Sequence, residues 1–243
     1  MVRLPARLAT KLLKVQLSQI FSPAPEGLLV HCVDPREVLH SGSNPPVSCE
    51  KMRALVENPA PVIWIGGSEP LLHSGIGHFM RAIAQSGHCV FLETDGTFLR
   101  RRIHEFEPLP ELFLTVRLES PESSRYASAL EGLAAARLSG FFTVVHSIVR
   151  KDSELAPFRA LSTFLFAQDL DGWLITAASL DEAAARKATE ARGLISSGFW
   201  RQLSEHVEEA LVRQSQGRES RLSSTPLADS APAEAHEEGV GIA

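Results

Sequence analysis

Short runs of apolar, β-branched and aromatic residues recur along the chain at 28–32, 62–65, 89–93, 112–118, 142–149 and 172–176. Each has the length of a β-strand, and each is followed by a polar or glycine-bearing turn. Between the runs, apolar positions recur with helical spacing near 49–57, 75–86, 97–104, 124–138 and 155–168, and again over 180–212. Strands that alternate with helices predict right-handed βαβ crossovers and one parallel sheet with both faces covered. Six such units fit a partial barrel or an open doubly wound sheet.

The two ends break the alternation. Residues 1–22 carry Arg3, Arg7, Lys11 and Lys14 without an acid, and Leu8, Leu12, Val15 and Leu17 can share one helical face. This segment is expected to be a basic amphipathic helix docked on the domain, with peripheral contact to an anionic membrane surface or a partner protein as the alternative. Residues 23–213 form the (β/α) domain. Residues 214–243 are rich in Ser, Ala, Pro and Glu, and are expected to be a disordered tail.

Composition narrows the function. The 243 residues are 44% hydrophobic and 22% charged, with a net charge of -5, which is ordinary for a globular protein and unsuited to nucleic acid as principal partner. Cys32, Cys49 and Cys89 make neither an even framework nor a CxxC pair, so reduced thiols and a cytoplasmic location are expected. No apolar run of about 18 residues occurs.

In both candidate architectures, ligands gather at the carboxyl ends of the strands. Those ends read His31-Cys32, Gly66-Gly67-Ser68-Glu69, Glu93-Thr94-Asp95-Gly96, Arg117-Leu118-Glu119, His146-Ser147 and Thr176-Ala177-Ala178. Glycine and capping residues also belong in any βα turn, so no single end defines a site. Together, however, they resemble the radical S-adenosylmethionine (radical SAM) superfamily. Gly67-Ser68-Glu69-Pro70-Leu71-Leu72-His73 is similar to the family's Gly-Gly-Glu-Pro signature, with Ser68 for the second glycine. Glu93-Thr94-Asp95-Gly96 is similar to its Thr-Asn-Gly ending, and Leu114-Thr115-Val116-Arg117-Leu118-Glu119 to its fourth strand.

The resemblance covers residues 28 to 180 and implies a six-unit partial (β/α) barrel of parallel strands. It also implies a cradle for S-adenosylmethionine (SAM) or a related small molecule, with Gly66, Gly67, Ser68, Glu69, Thr94, Asp95 and Ser147 as the cofactor-binding positions. Glu69 is the contact to expect, since a carboxylate accepts hydrogen bonds from a protonated amine. The family's Cys-x3-Cys-x2-Cys loop is another matter. Here it reads Cys32-Val33-Asp34-Pro35-Arg36-Glu37-Val38-Leu39, and Arg36 and Leu39 cannot act as thiolate ligands. A [4Fe–4S] cluster is therefore not expected, with Cys32 a ligand only if one is present, and a pseudoenzyme is the leading reading.

Two alternatives stand beside it. One is an active radical SAM enzyme with an unorthodox cluster ligand set; the other is an unrelated α/β enzyme using His31, Glu69, Asp95 and His146 for acid–base chemistry. His31, Cys32, His40 and Cys49 supply zinc-compatible atoms but lack a standard zinc spacing.

Overall fold

The computed structural model describes Thr10 and residues 28–39, 47–118, 124–168, 170–179 and 181–223. Apart from Thr10, the expected N-terminal helix over 1–22 lies outside the described residues, as do His40, Glu119 and residues 224–243. Six strands form one sheet: β1 (Val30–Val33), β2 (Val62–Ile65), β3 (Cys89–Thr94), β4 (Leu112–Arg117), β5 (Phe142–Val149) and β6 (Gly172–Ala177). All neighbouring pairs are parallel, and their spatial order is their chain order. A doubly wound sheet would reverse direction at a switch point. The uninterrupted order selects the partial barrel.

Eight α-helices are seen among the described residues: α1 (Pro35–Val38), α2 (Cys49–Val56), α3 (Ile76–Gln85), α4 (Leu99–Arg102), α5 (Tyr126–Leu138), α6 (Ala156–Ala167), α7 (Glu182–Arg192) and α8 (Gly198–Ser223). The crossover helix α3 shows why such segments form. Ile76, Phe79, Met80 and Ile83 make one buried stripe at helical spacing, which can be covered only by packing on the sheet. The last helix continues to Ser223, so residues 214–223, expected to begin the tail, are helical.

The inner face of the sheet holds an aromatic ladder set by strand register. Trp64 pairs with Phe91, Phe91 with Phe113 and Phe113 with Phe142 across successive strands. Their rings stack at centroid distances of 5.9, 4.5 and 5.3 Å. Residues two further along a strand point to the same face. Glu93, Thr115, Val144 and, one step beyond Val144, His146 therefore continue the inner face toward the carboxyl ends.

Among the described residues the barrel does not close strand to strand. The outer edge of β6 is instead satisfied by helix side chains: Ile175 N donates to Ser204 Oγ at 3.1 Å, and Arg192 Nε donates to Ile175 O at 2.9 Å. Glu208 accepts from Ala177 N and is ion-paired with Arg192. The same helix α8 packs against β1, the opposite edge, and so spans the open seam. Trp200, near its start, fills the space left by Gly172.

That last contact predicts a sharp asymmetry between two glycines. A Cβ on Gly172 would lie 2.5 Å from the ring of the buried Trp200, whereas a Cβ on Gly217 meets nothing within 4 Å. Gly172→Ala is expected to lower unfolding stability by about 1–3 kcal/mol through overpacking. Gly217→Ala, inside α8, is expected to raise it by up to about 1 kcal/mol. Urea titration of both variants checks the pair.

Candidate functional site

The turn after β2 is built by local hydrogen bonding. Gly66 N extends the ladder by donating to Val33 O at 3.1 Å, and Gly67 takes φ 97°, the left-handed conformation that glycine tolerates. Glu69 caps the short 3-10 turn Pro70–Leu72. Its Oε1 accepts from Leu71 N at 3.0 Å and from Thr94 Oγ1 at 2.7 Å, and its Oε2 accepts from Asp95 N at 2.9 Å. Burial pushes the Glu69 carboxyl above the usual carboxylate range, against the pull of these three hydrogen bonds. Glu69 thus fastens the end of β2 to the end of β3.

Glu69, Thr94 and Asp95 are brought together as the sequence implied. Asp95 turns away from Glu69's oxygens, accepting from Thr97 N at 2.9 Å and pairing with Arg125 at 3.1 Å. Ser147 stands apart. Its hydroxyl donates to Leu118 O and accepts from Trp173 Nε1, each at 3.1 Å, on the face of β5 opposite His146.

Ser68 donates to Asp34 Oδ1 at 2.5 Å. Asp34, 2% exposed, is also the N-cap of α1 and accepts from Arg36 N at 2.9 Å. The loop where a cluster would sit is therefore a capped helical turn bonded to the glycine turn. Within it the Arg36 side chain is 70% exposed, while Val38 and Leu39 are buried in the core. Cys32, on β1, is half-buried, and Cys49 is exposed. Among the described residues, no three His, Cys, Asp or Glu side chains are placed to hold a metal ion. The residues present do not fit a three-thiolate cluster.

A second group of polar residues lies deeper and joins four strands. Glu93 on β3, 3% exposed, receives His146 Nδ1 at 2.6 Å and Arg117 Nε at 3.1 Å, both on Oε1. His146 Nε2 lies 2.8 Å from Thr176 Oγ1 on β6. Trp64 packs edge-on against the His146 ring at 5.2 Å, and its buried Nε1 has no hydrogen-bond partner among the described residues. A Cβ on Gly66 would stand 2.5 Å from Glu93 Oε2 and 2.9 Å from Trp64 Nε1. Glycine at 66 is what admits the buried carboxylate.

Glu93, Arg117, His146 and Thr176 line a cavity of about 700 Å³ at the carboxyl mouth, to which α8 contributes Leu211, Val212 and Gln214 and the strand ends contribute Gly67, Arg150 and Ser179. Its size falls within the usual range for small-molecule sites, and it combines apolar walls with a few convergent polar groups. A second cavity, of about 520 Å³, opens beside β1 and includes His31 and Cys32. Burial lowers the His31 pKa first, and the neighbouring His88 lowers it further, so the imidazole is disposed to be neutral.

The sequence marks Glu93, Arg117 and Thr176 only as strand ends, and His146 also as a candidate acid–base residue of the unrelated α/β enzyme. Their convergence follows from register across β3, β4, β5 and β6. The available signal was the spacing of Glu93 from Phe91, which puts a carboxylate on the aromatic inner face.

The molecule is a parallel six-stranded half-barrel with a polar cavity at its carboxyl mouth. That is the fold which the resemblance to the radical SAM superfamily implies. No family model and no curated protein matches the chain. Among solved structures it is similar to Streptococcus suis SuiB, with TM-score 0.47 and 12% identity over 67% of this chain and 45% of that one. For SuiB bound to S-adenosylmethionine the values are 0.48, 10%, 67% and 46%. For archaeal TYW1 they are 0.42, 15%, 67% and 61%. The matched region covers less than two thirds of each of these chains.

The buried carboxylate has a defined pH signature. Burial opposes ionisation of Glu93, but His146 and Arg117 outweigh it and hold the pKa at about 2, below the ordinary 4.5. A depressed carboxyl pKa contributes stability that is present above 4.5 and lost as pH falls toward 2. Wild type is expected to be more stable than Glu93→Gln above that window, by roughly the few kcal/mol typical of a broken buried pair, and the two are expected to converge as pH falls through it. Urea unfolding of both proteins across the window is the measurement.

Proposed function

We propose that the chain is a radical-SAM-type half-barrel without its own iron–sulfur cluster, which binds SAM or a related small molecule at the carboxyl mouth. The observation that carries this reading is the first loop. Where two further thiolates would stand, one side chain points to solvent and the other belongs to the core, and the Asp34–Ser68 hydrogen bond occupies the space between loop and turn.

The cavity suits the amino-acid end of such a ligand. Glu93, one of its lining residues, offers a carboxylate as hydrogen-bond acceptor for an amine, and Arg117 supplies a cation for a carboxylate. Gly67 lets backbone approach closely beside them. Glu69, by contrast, serves the ligand by positioning the turn, because Leu71, Thr94 and Asp95 draw on its oxygens. When bound, SAM supplies an electrophilic sulfonium; the chain's own residues orient it and exclude water.

Anaerobic reconstitution with iron and sulfide tests the first half, and calorimetry with SAM tests the second. The expected result is substoichiometric iron, no visible cluster absorbance, and a SAM binding heat that is the same in wild type and Cys32→Ser. A brown protein with a full cluster's iron, lost in Cys32→Ser, would establish the active enzyme instead.

A further inference from the structure

Glu93, His146 and Thr176 form a connected relay on the wall of the mouth cavity. The ionised carboxylate of Glu93 only accepts, so the 2.6 Å contact puts a proton on His146 Nδ1. In the neutral imidazole, Nε2 is then an acceptor, and the Thr176 hydroxyl 2.8 Å away donates to it. The carboxylate fixes the tautomer, the imidazole faces a hydroxyl, and Thr176, which carries it, is among the residues that line a cavity of about 700 Å³. Arg117, bonded through Nε to the same Glu93 oxygen, places a cation on that wall. Ile148, Leu211 and Val212 give the cavity an apolar side.

We propose that Thr176 is a nucleophile, His146 its base and Glu93 the group that positions the base, and that the cavity is an acyl-transfer site for small carboxylic esters. The roles are assigned by mutual geometry, which is how such constellations are recognised on unrelated folds. Thr176 Oγ1 bonds to the ester carbonyl carbon while its proton passes to His146 Nε2. Negative charge develops on the carbonyl oxygen, and the role assigned to the Arg117 cation on the cavity wall is to stabilise it. The bond to the alcohol oxygen then breaks, and His146 returns the proton to that oxygen. Solvent water attacks the acyl-threonine, giving its proton to His146. Collapse restores Thr176 and releases the carboxylic acid. The sum is ester plus water to acid plus alcohol, with no oxidant or reductant. With Thr176 only 1% exposed, only an ester small enough to enter the cavity of about 700 Å³ can reach it.

The experiment treats the full chain with 4-nitrophenyl acetate, follows nitrophenolate release, and locates acetyl groups by mass spectrometry of the quenched protein. Wild type is expected to give a burst and an acetylated Thr176. Thr176→Val, close in shape but without the hydroxyl, is expected to lose at least about 100-fold in rate, and Thr176→Ser to keep both signals. Glu93→Gln is expected to slow acylation without changing half-saturation, because Glu93 acts through His146. Thermal melting establishes that each variant is folded. Absence of acetyl on Thr176 in folded wild type, or equal rates for wild type and Thr176→Val, would overturn the assignment. It does not depend on SAM binding: acetylation without a SAM heat, or the reverse, separates the two readings.

Discussion

A six-stranded parallel sheet that stops short of closure leaves two edges, and the unpaired backbone of β6 is the constraint on which the rest of this structure depends. Ser204, Arg192 and Glu208 meet that edge in place of a seventh strand. Because two of these three side chains lie on α8, satisfying the edge also fixes where α8 runs. The helix then crosses to β1, buries Trp200, Leu203 and Val207, and brings its later turns over the mouth. The cavity wall and the edge cap are thus one element.

Inside the barrel, polar and aromatic layers are stacked along the strands. The aromatic ladder fills the middle, and the Glu93–His146–Thr176 chain with Arg117 lies above it. A buried carboxylate is costly to leave unpaired, and breaking such a pair typically costs several kcal/mol. Here one carboxylate oxygen serves both an imidazole and a guanidinium. The arrangement needs three strands in fixed register and a neighbour at 66 with no side chain. Rigidity of the sheet and placement of the polar groups are therefore inseparable.

Much of the architecture is legible in the chain because parallel strands covered on both faces read as compact apolar runs. The runs at 62–65 and 142–149 coincide with β2 and β5, and β3 differs from its expected run only by including Thr94. The first strand is displaced toward Val33, and the helical stretch over 180–212 is two helices separated around Gly193–Ser197. The turn Pro35–Val38 escapes pattern reading since four residues hold barely one helical period. Glu69, Thr94 and Asp95 are grouped by the family resemblance, and the structure places them at the ends of adjacent strands. Glu93, His146 and Thr176 are not grouped by the sequence, because burial of both faces erases the alternation that would have marked the inner side.

The hydrogen bond from Ser68 to Asp34 has a consequence for any attempt to build a metal site into this loop. Placing cysteines at 36 and 39 would supply thiols in number but not in space. Leu39 is 4% exposed, and shortening a buried leucine typically costs about 2–5 kcal/mol. The capped turn would also have to unwind, freeing Asp34 from both Arg36 N and Ser68. A three-thiolate loop built here would accordingly require the turn, the cap and the residue after Gly67 to change in concert.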